Sequence, residues 1–475
     1  MPKRILFLLL TAIAARVSAQ SVLDAYLRIG LDSNLALHQR NFDCQRAGLD
    51  LRRARSLFYP QAGFSSQYTV ANGGRSQAIP IGDLLNNVYS TLNQLTGSNK
   101  FPQVANQSIQ FLPNDFQDTK VEISLPILNT DLLHNKEVSS ETVNVRRAEY
   151  EVYRRDLVRS IRQAYYQYLQ AGKAVDIYTA ALVSVKENRR VSEKFVENHI
   201  ATREIVLRSQ AQVSQVESAL IEAENDRRNA TAYFNFLLNR PLDSPILTDP
   251  SLLTAAPSGD GARSAEGARS AEVAAVAANS VAPAVNGGAP AVGAITGREE
   301  LTRLRSYQRI LQSNLKWNRN YLIPRLNAFY DIGYQGFGFH FNGDQFYQLA
   351  GVNLSWTIFK ANDNKYKIQQ ARIDIDAVGE QYRQLTQQLT LEQQTALNNY
   401  RSAMEALRAL ADESGSAREA YRLAERRFNE GQALQVELID ARTQMTSAEI
   451  RYSLGRLAVL NRAADLERAT AAYKF

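Results

Sequence analysis

The run LVRSIRQAYYQYLQAGKAVDIYTAALVSV, residues 157–185, carries a coiled-coil seam. Leu157, Ile161, Ala164, Tyr168, Ala171, Val175, Tyr178, Leu182 and Val185 follow one another at steps of four and three. At that spacing apolar side chains stay in register along two packed helices, which predicts a left-handed supercoil. No proline interrupts the chain between Asp131 and His199, so a helix of about 69 residues is expected, roughly 100 Å at ~1.5 Å per residue. Ordinary globular helices are far shorter. The chain breaks near Asn198, resumes as helix over about Thr202–Asn239, and is stopped by Pro241.

Outward from this run, the second half repeats the plan. Ile368, Ala371, Ile375, Val378, Tyr382, Leu385 and Leu389 give the same steps, predicting a helix over about Asp363–Asn429. After a break at Gly431 a return helix is expected over about Leu434–Thr470, with a seam at Val436, Ile439, Thr443, Thr446, Ile450, Ser453, Leu457, Leu460 and Ala464. Ala164, Tyr168 and Ala171 lie 232 residues before Ala396, Tyr400 and Ala403, and Lys194-Phe195 lies 233 before Arg427-Phe428. The chain is an internal duplication. Each half also opens with a shorter helix, about Val22–Phe58 and Arg298–Tyr321. Laid end to end with the return helix, each matches its long neighbour, so a long hollow cylinder of struts is expected.

Two strand-like segments precede each long helix. Phe64, Ser66, Tyr68 and Val70 alternate with Ser65, Gln67 and Thr69, and Val121, Ile123 and Leu125 with Lys120, Glu122 and Ser124. In the second half Leu326, Ala328, Tyr330, Ile332 and Tyr334 alternate with Asn327, Phe329, Asp331, Gly333 and Gln335. Its partner sets Ala350, Val352, Leu354, Trp356 and Ile358 against Gly351, Asn353, Ser355 and Thr357. Period-2 alternation fits a membrane barrel strand and equally a soluble sandwich. With no other sheet in sight, and an export signal ahead of it, a barrel is the better fit. Four strands cannot close a barrel, and open edges are not tolerated in lipid, so several chains must pool strands.

The export signal is Lys3-Arg4, an apolar run from Ile5 to Ala15, and Val17-Ser18-Ala19 before a cleavage point at Gln20. Its removal takes the formal charge from +7 to +4, and the remaining bases are interspersed with acids, so no nucleic-acid partner is expected. A segment rich in Ala, Gly, Ser and Pro, with GARSAE at 261–266 repeated at 267–272, reads as a linker. The domains are therefore a signal peptide (1–19), a first repeat (20–254), a linker (255–296) and a second repeat (297–475). Cys44 is the lone cysteine, and His38, His134, His199 and His340 are scattered. No disulfide, metal site, cofactor or catalytic triad is expected, and the chain is not read as an enzyme. GYQGFG (333–338) sits in a strand pattern, which argues against a nucleotide site.

Three sets of residues carry a resemblance. LFYPQAGF (57–64), after a helix containing Asn34, and its counterpart YLIPRLNAF (321–329) mark helix-to-strand passages. SLPIL (124–128) and WTIFK (356–360) mark strand-to-helix junctions, and RRFNEGQALQVELIDARTQ (426–444) spans the second helical turn. In these the chain resembles the TolC-like outer-membrane efflux protein family, everywhere except the linker and the loop at about 71–117. The resemblance implies a mainly helical α+β fold. Three chains, four strands each, form a twelve-stranded outer-membrane β-barrel continued by a periplasmic α-helical coiled-coil barrel. It implies a homotrimer in outer-membrane lipid, meeting a periplasmic adaptor and an inner-membrane pump or secretion transporter. Its role is then a passive exit duct for small molecules or proteins. A periplasmic coiled-coil adaptor or a structural coiled coil without a barrel is the alternative reading.

Glu437 and Asp440, three apart on one helix, share a face and match the acidic positions at the family's periplasmic entrance. A threefold ring of such carboxylates attracts cations; an ordinary solvated helix face is the competing reading. The family latches this entrance with a tyrosine and an arginine, where this chain has Phe428 and Ala433. Arg203 and Glu204 are the candidates for a substitute lock. Asn198, His199, Ile200 and Ala201, with Gly431, Gln432, Ala433 and Leu434, form the turns expected to contact an adaptor, or simply to cap helices. Tyr59, Trp356 and Phe359 fall near strand ends, as an aromatic interface belt or as packing where strands meet helices.

Overall fold

The computed structural model describes residues 22–111, 115–199, 202–248 and 295–473. The expected signal peptide, Ile200, Ala201 and the expected linker up to residue 294 lie outside the described residues. In chain order the elements are α1 (Val22–Ser33), α2 (Leu35–Ser56), β1 (Gln61–Val70), β2 (Ser76–Ile79), α3 (Ile81–Thr96), β3 (Gln107–Gln110), β4 (Asp115–Leu128), α4 (Thr130–Glu197) and α5 (Arg203–Leu237). The second half adds α6 (Glu299–Arg319), β5 (Arg325–Phe337), β6 (Phe346–Ser355), α7 (Asp363–Asn429) and α8 (Gln435–Thr470). The two long helices have 68 and 67 residues, close to the lengths that the seams predict.

One compact unit comprises Gly48–Glu141 and Arg309–Ile375. Its sheet has the order β1-β4-β5-β6, every neighbour antiparallel, so β1 and β6 are its two edges. Register aligns Ala62, Ile123, Tyr330 and Ala350 in one row and Phe64, Val121, Ile332 and Gln348 in the next. The apolar alternates thus share a face. That face is open: Phe64 is 73% exposed, Val352 60% and Leu354 59%. On the opposite face Asp331 is 4% exposed and bound to Lys120. A soluble sheet does the reverse, burying its apolar side chains and solvating its charges. Pro126, which has no N–H to give, stands where β4 has passed the end of β1 and beside a register shift at Pro126/Leu128.

Several expectations are corrected in this unit. β6 ends at Ser355, so Trp356 and Ile358 are not strand residues. Trp356 instead donates its indole N–H to the Leu322 carbonyl at 2.8 Å, which draws it out of the alternation. A second sheet exists: β2 pairs antiparallel with β3 inside the segment read as a loop. α3, also in that segment, is clamped to the chain after it by asparagines seven apart. Asn86 donates to and accepts from the backbone of Val104, and Asn93 does the same with Phe101.

The other unit comprises the described residues among Met1–Ala47, Thr142–Gln308 and Asp376–Phe475. Its core gathers Leu23, Tyr26 and Leu27 of α1, Leu157, Ile161, Tyr165, Tyr166 and Leu169 of α4, Phe234 and Leu237 of α5, and Leu457 and Leu460 of α8. Tyr165 and Tyr166 lie off the predicted seam yet are fully buried, because here α4 is covered on more than one side. Burial pushes the Tyr166 hydroxyl up to about 12. The expected first helix is divided at Asn34, which caps α2 through Oδ1 to the Leu37 N–H and donates Nδ2 to the Leu237 carbonyl.

Beside this core lies an ionic knot. Arg298, 3% exposed, binds Glu300 at 2.8 Å and Glu392 at 3.1 Å, and donates to the Ala469 carbonyl near the end of α8. Arg468 reaches Asp156 and Glu300 at 2.5 and 2.8 Å, and Arg162 pairs with Glu467. Burial alone raises the Glu300 carboxyl, but the hydrogen bonds and charge of Arg298, joined by Arg468, hold it down at about 2. Among the described residues no helix is long and apolar enough to cross a membrane.

Candidate gate at the helix turns

Both helical hairpins turn through the left-handed region at equivalent places. His199 has φ 57° and Gly431, 232 residues later, φ 70°. The second turn closes as a Schellman motif, the Gly431 N–H bonded to the Phe428 carbonyl and the Gln432 N–H to that of Arg427. The first keeps the Val196 carbonyl bonded to the His199 N–H, while Asn198 donates its side-chain amide to the Lys194 carbonyl. Gly431, Gln432 and Leu434 are exposed, as are Asn198 and His199; Ala433 is half-buried.

Glu437 and Asp440 lie in the first two turns of α8, and both are exposed. Glu437 is not alone: the Arg427 guanidinium stands 3.8 Å away, and Asp440 accepts from Gln444 at 2.8 Å. Arg203 and Glu204 do not pair with each other. Glu204 binds Arg208 one turn on at 2.5 Å, and among the described residues Arg203 makes no ion pair.

What fastens the turns is different from anything expected. The ring of Phe428 meets that of Phe195 at 6.0 Å, so the residue in the place of the family's tyrosine contributes an apolar contact between hairpins. One turn deeper, Ser192 and Ser209 are fully buried and bonded to each other at 3.0 Å, and the Gln435 amide donates to both. Three helices (α4, α5 and α8) are tied at one point. This tie also turns α8: Leu438, Met445 and Ala448 are buried, while Val436 and Thr443 of the predicted seam are exposed. A signal for it was present. Ser192 continues the seam seven residues after Val185, and a polar side chain at a seam position marks a specific buried hydrogen bond.

At the strand ends, Tyr59 is exposed just before β1, and Trp356 and Phe359 are exposed just after β6.

The fold matches that of the outer-membrane channel OprN at a TM-score of 0.71 and 15% identity, covering 95% of this chain and 90% of that one. A membrane protein from Pseudomonas aeruginosa matches at 0.72 and 16%, covering 95% and 92%. VceC, an outer membrane protein from Vibrio cholerae, matches at 0.70 and 14%, covering 94% and 95%. No curated protein sequence matches the chain. Residues 293–472 match the outer membrane efflux protein family.

Proposed function

We propose that three copies of this chain form the outer-membrane exit duct of a tripartite efflux or type I secretion system. The observation that carries this is the inverted sheet, apolar and exposed on one face, charged and paired on the other, with two unpartnered edges. Lipid covers the apolar face, and neighbouring chains cover the edges, because unpaired backbone groups are not tolerated in hydrocarbon. Strands from three chains close a barrel where four strands from one cannot. The helices extend into the periplasm, and their turns meet an adaptor that joins an inner-membrane pump. Cargo passes unchanged, with energy supplied from the inner membrane, so the chain itself carries out no catalysis.

Within this reading Glu437 and Asp440 line the periplasmic entrance as a threefold acidic ring. The Phe195–Phe428 contact and the Ser192–Ser209–Gln435 tie serve as its latch in place of tyrosine and arginine. Arg203 and Glu204 are left as surface charges. Asn198, His199, Ile200, Ala201 and residues 431–434 are the adaptor contacts, and Tyr59, Trp356 and Phe359 the interfacial aromatics. The two repeats (20–254 and 297–475) are joined by the linker at 255–296.

The test is extraction and mass. The protein is expected to leave membranes only with detergent, to run as a trimer, and to conduct ions in planar bilayers. A detergent-independent monomer with native β-content overturns the reading in favour of a soluble adaptor.

A further inference from the structure

The strand segment holds charge that a duct gated at its helix turns does not need. On the polar face of the sheet, register sets Ser65, Lys120, Gly333 and Tyr347 in one row and Gly63, Glu122, Asp331 and Leu349 in the next. Gln67, Asp118 and Gln335 form the row on the other side. Lys120 Nζ reaches across to Asp331 Oδ2 at 2.6 Å and stands 3.8 Å from Glu122. Tyr347 donates its hydroxyl to Asp118 Oδ1 at 3.0 Å. Asp331 is 4% exposed, yet its Oδ1 has no hydrogen-bond partner.

Gly333 is what permits this arrangement. A Cβ there meets the Thr119 carbonyl oxygen at 2.3 Å and Lys120 Cα and Cβ at 2.7 Å, so only glycine lets the two strands close up beside the lysine. The glycine in GYQGFG therefore has a use unrelated to phosphate. β1 and β6 bring no charged residue to the sheet, and Arg325, at the near end of the same face, is held by Asp131 at 2.6 Å. Three carboxylates against one ammonium leave a formal excess of two negative charges per chain on this face. Ionisable groups at membrane depth are costly and face an aqueous path where they are kept.

We propose that Asp118, Lys120, Glu122 and Asp331 form a second ion-selecting station, inside the strand segment and independent of the carboxylates at the helix turns. It rests on the reading of the chain as a trimeric channel. Low-dielectric walls focus the field of such a ring, so small cations are enriched there and anions depleted. Lys120 sets the strength. It neutralises the one carboxylate that is buried and leaves Asp118 and Glu122 to act on passing ions.

The experiment is the reversal potential of single trimers in planar bilayers under a KCl gradient. The E437Q/D440N channel is expected to retain cation preference. Adding D118N/E122Q is expected to lower its cation-to-anion permeability ratio by about twofold or more, the effect of removing fixed charge from a constriction. Lys120→Gln is expected to raise the ratio. If that variant fails to assemble because Asp331 loses its partner, the D118N/E122Q pair decides alone. An unchanged ratio in conducting D118N/E122Q trimers overturns the station and leaves the channel reading intact. A wild-type protein that forms no trimer, or trimers that pass no current, overturns the channel reading itself.

Discussion

At the scale of single residues, the two hairpin turns offer a matched comparison. His199 and Gly431 occupy equivalent left-handed positions, but a Cβ in that region costs about 1 kcal/mol. Gly431→Ala is expected to lower the thermal unfolding midpoint in detergent, by about 1 kcal/mol of stability per chain. His199→Gly is expected to raise it by less, since glycine also widens the unfolded ensemble. Glu300 gives a pH dependence. Its folded pKa of about 2 lies below the ordinary 4.5, so its contribution is complete above about pH 4.5 and is lost as pH falls towards about 2. Unfolding midpoints measured across that window should decline, and Glu300→Gln should flatten the decline while lowering stability at neutral pH. The burial of Arg298 and Glu300 was not legible in the sequence. A charged pair two residues apart at a helix start reads as a solvated cap until the end of α8 is laid over it.

At the scale of elements, the periodic signals were legible and the places where partners intervene were not. The long helices keep the boundaries their seams give, since a heptad run needs only its own spacing to be recognised. The rotation of α8 near its start was missed because buried Ser192 and Ser209, far away in sequence, draw Gln435 inward. Asn34 divides the first helix through a bond to Leu237, equally distant. The segment after β1 was read as a loop, although Ile81, Leu84, Leu85, Val88, Leu92 and Leu95 show helical spacing. Its asparagine clamp is testable. Asn86→Ala with Asn93→Ala removes the side-chain hydrogen bonds to Val104 and Phe101, each worth about 1 kcal/mol. Limited proteolysis should then cut within residues 97–106 much faster, with the four-stranded sheet unaffected.

At the scale of the whole molecule, the acidic pair at the turns tests the direction of the duct. Exposed charges on a helix face contribute ~0–1 kcal/mol each to stability, so E437Q/D440N should leave the trimer assembled. On the proposed reading its block by trivalent cations in bilayer recordings should weaken, because the proposed ring loses its charge. Arg427, 3.8 Å from Glu437, would offset part of such a ring, and Arg427→Gln should then strengthen the block. If block is the same in all three proteins, Glu437 and Asp440 face away from the path.

The two unpartnered edges of the sheet also govern what happens to a chain before any duct exists. A newly exported copy carries an oily face and two rows of unsatisfied backbone groups, the surface that aggregation and chaperones both recognise. On the proposed trimeric reading its maturation is a race between encounter with two sisters, which accelerates with synthesis rate, and removal by proteolysis, which does not. Scarce expression should yield disproportionately few finished pores, so abundance in the envelope responds to gene dosage more steeply than in direct proportion.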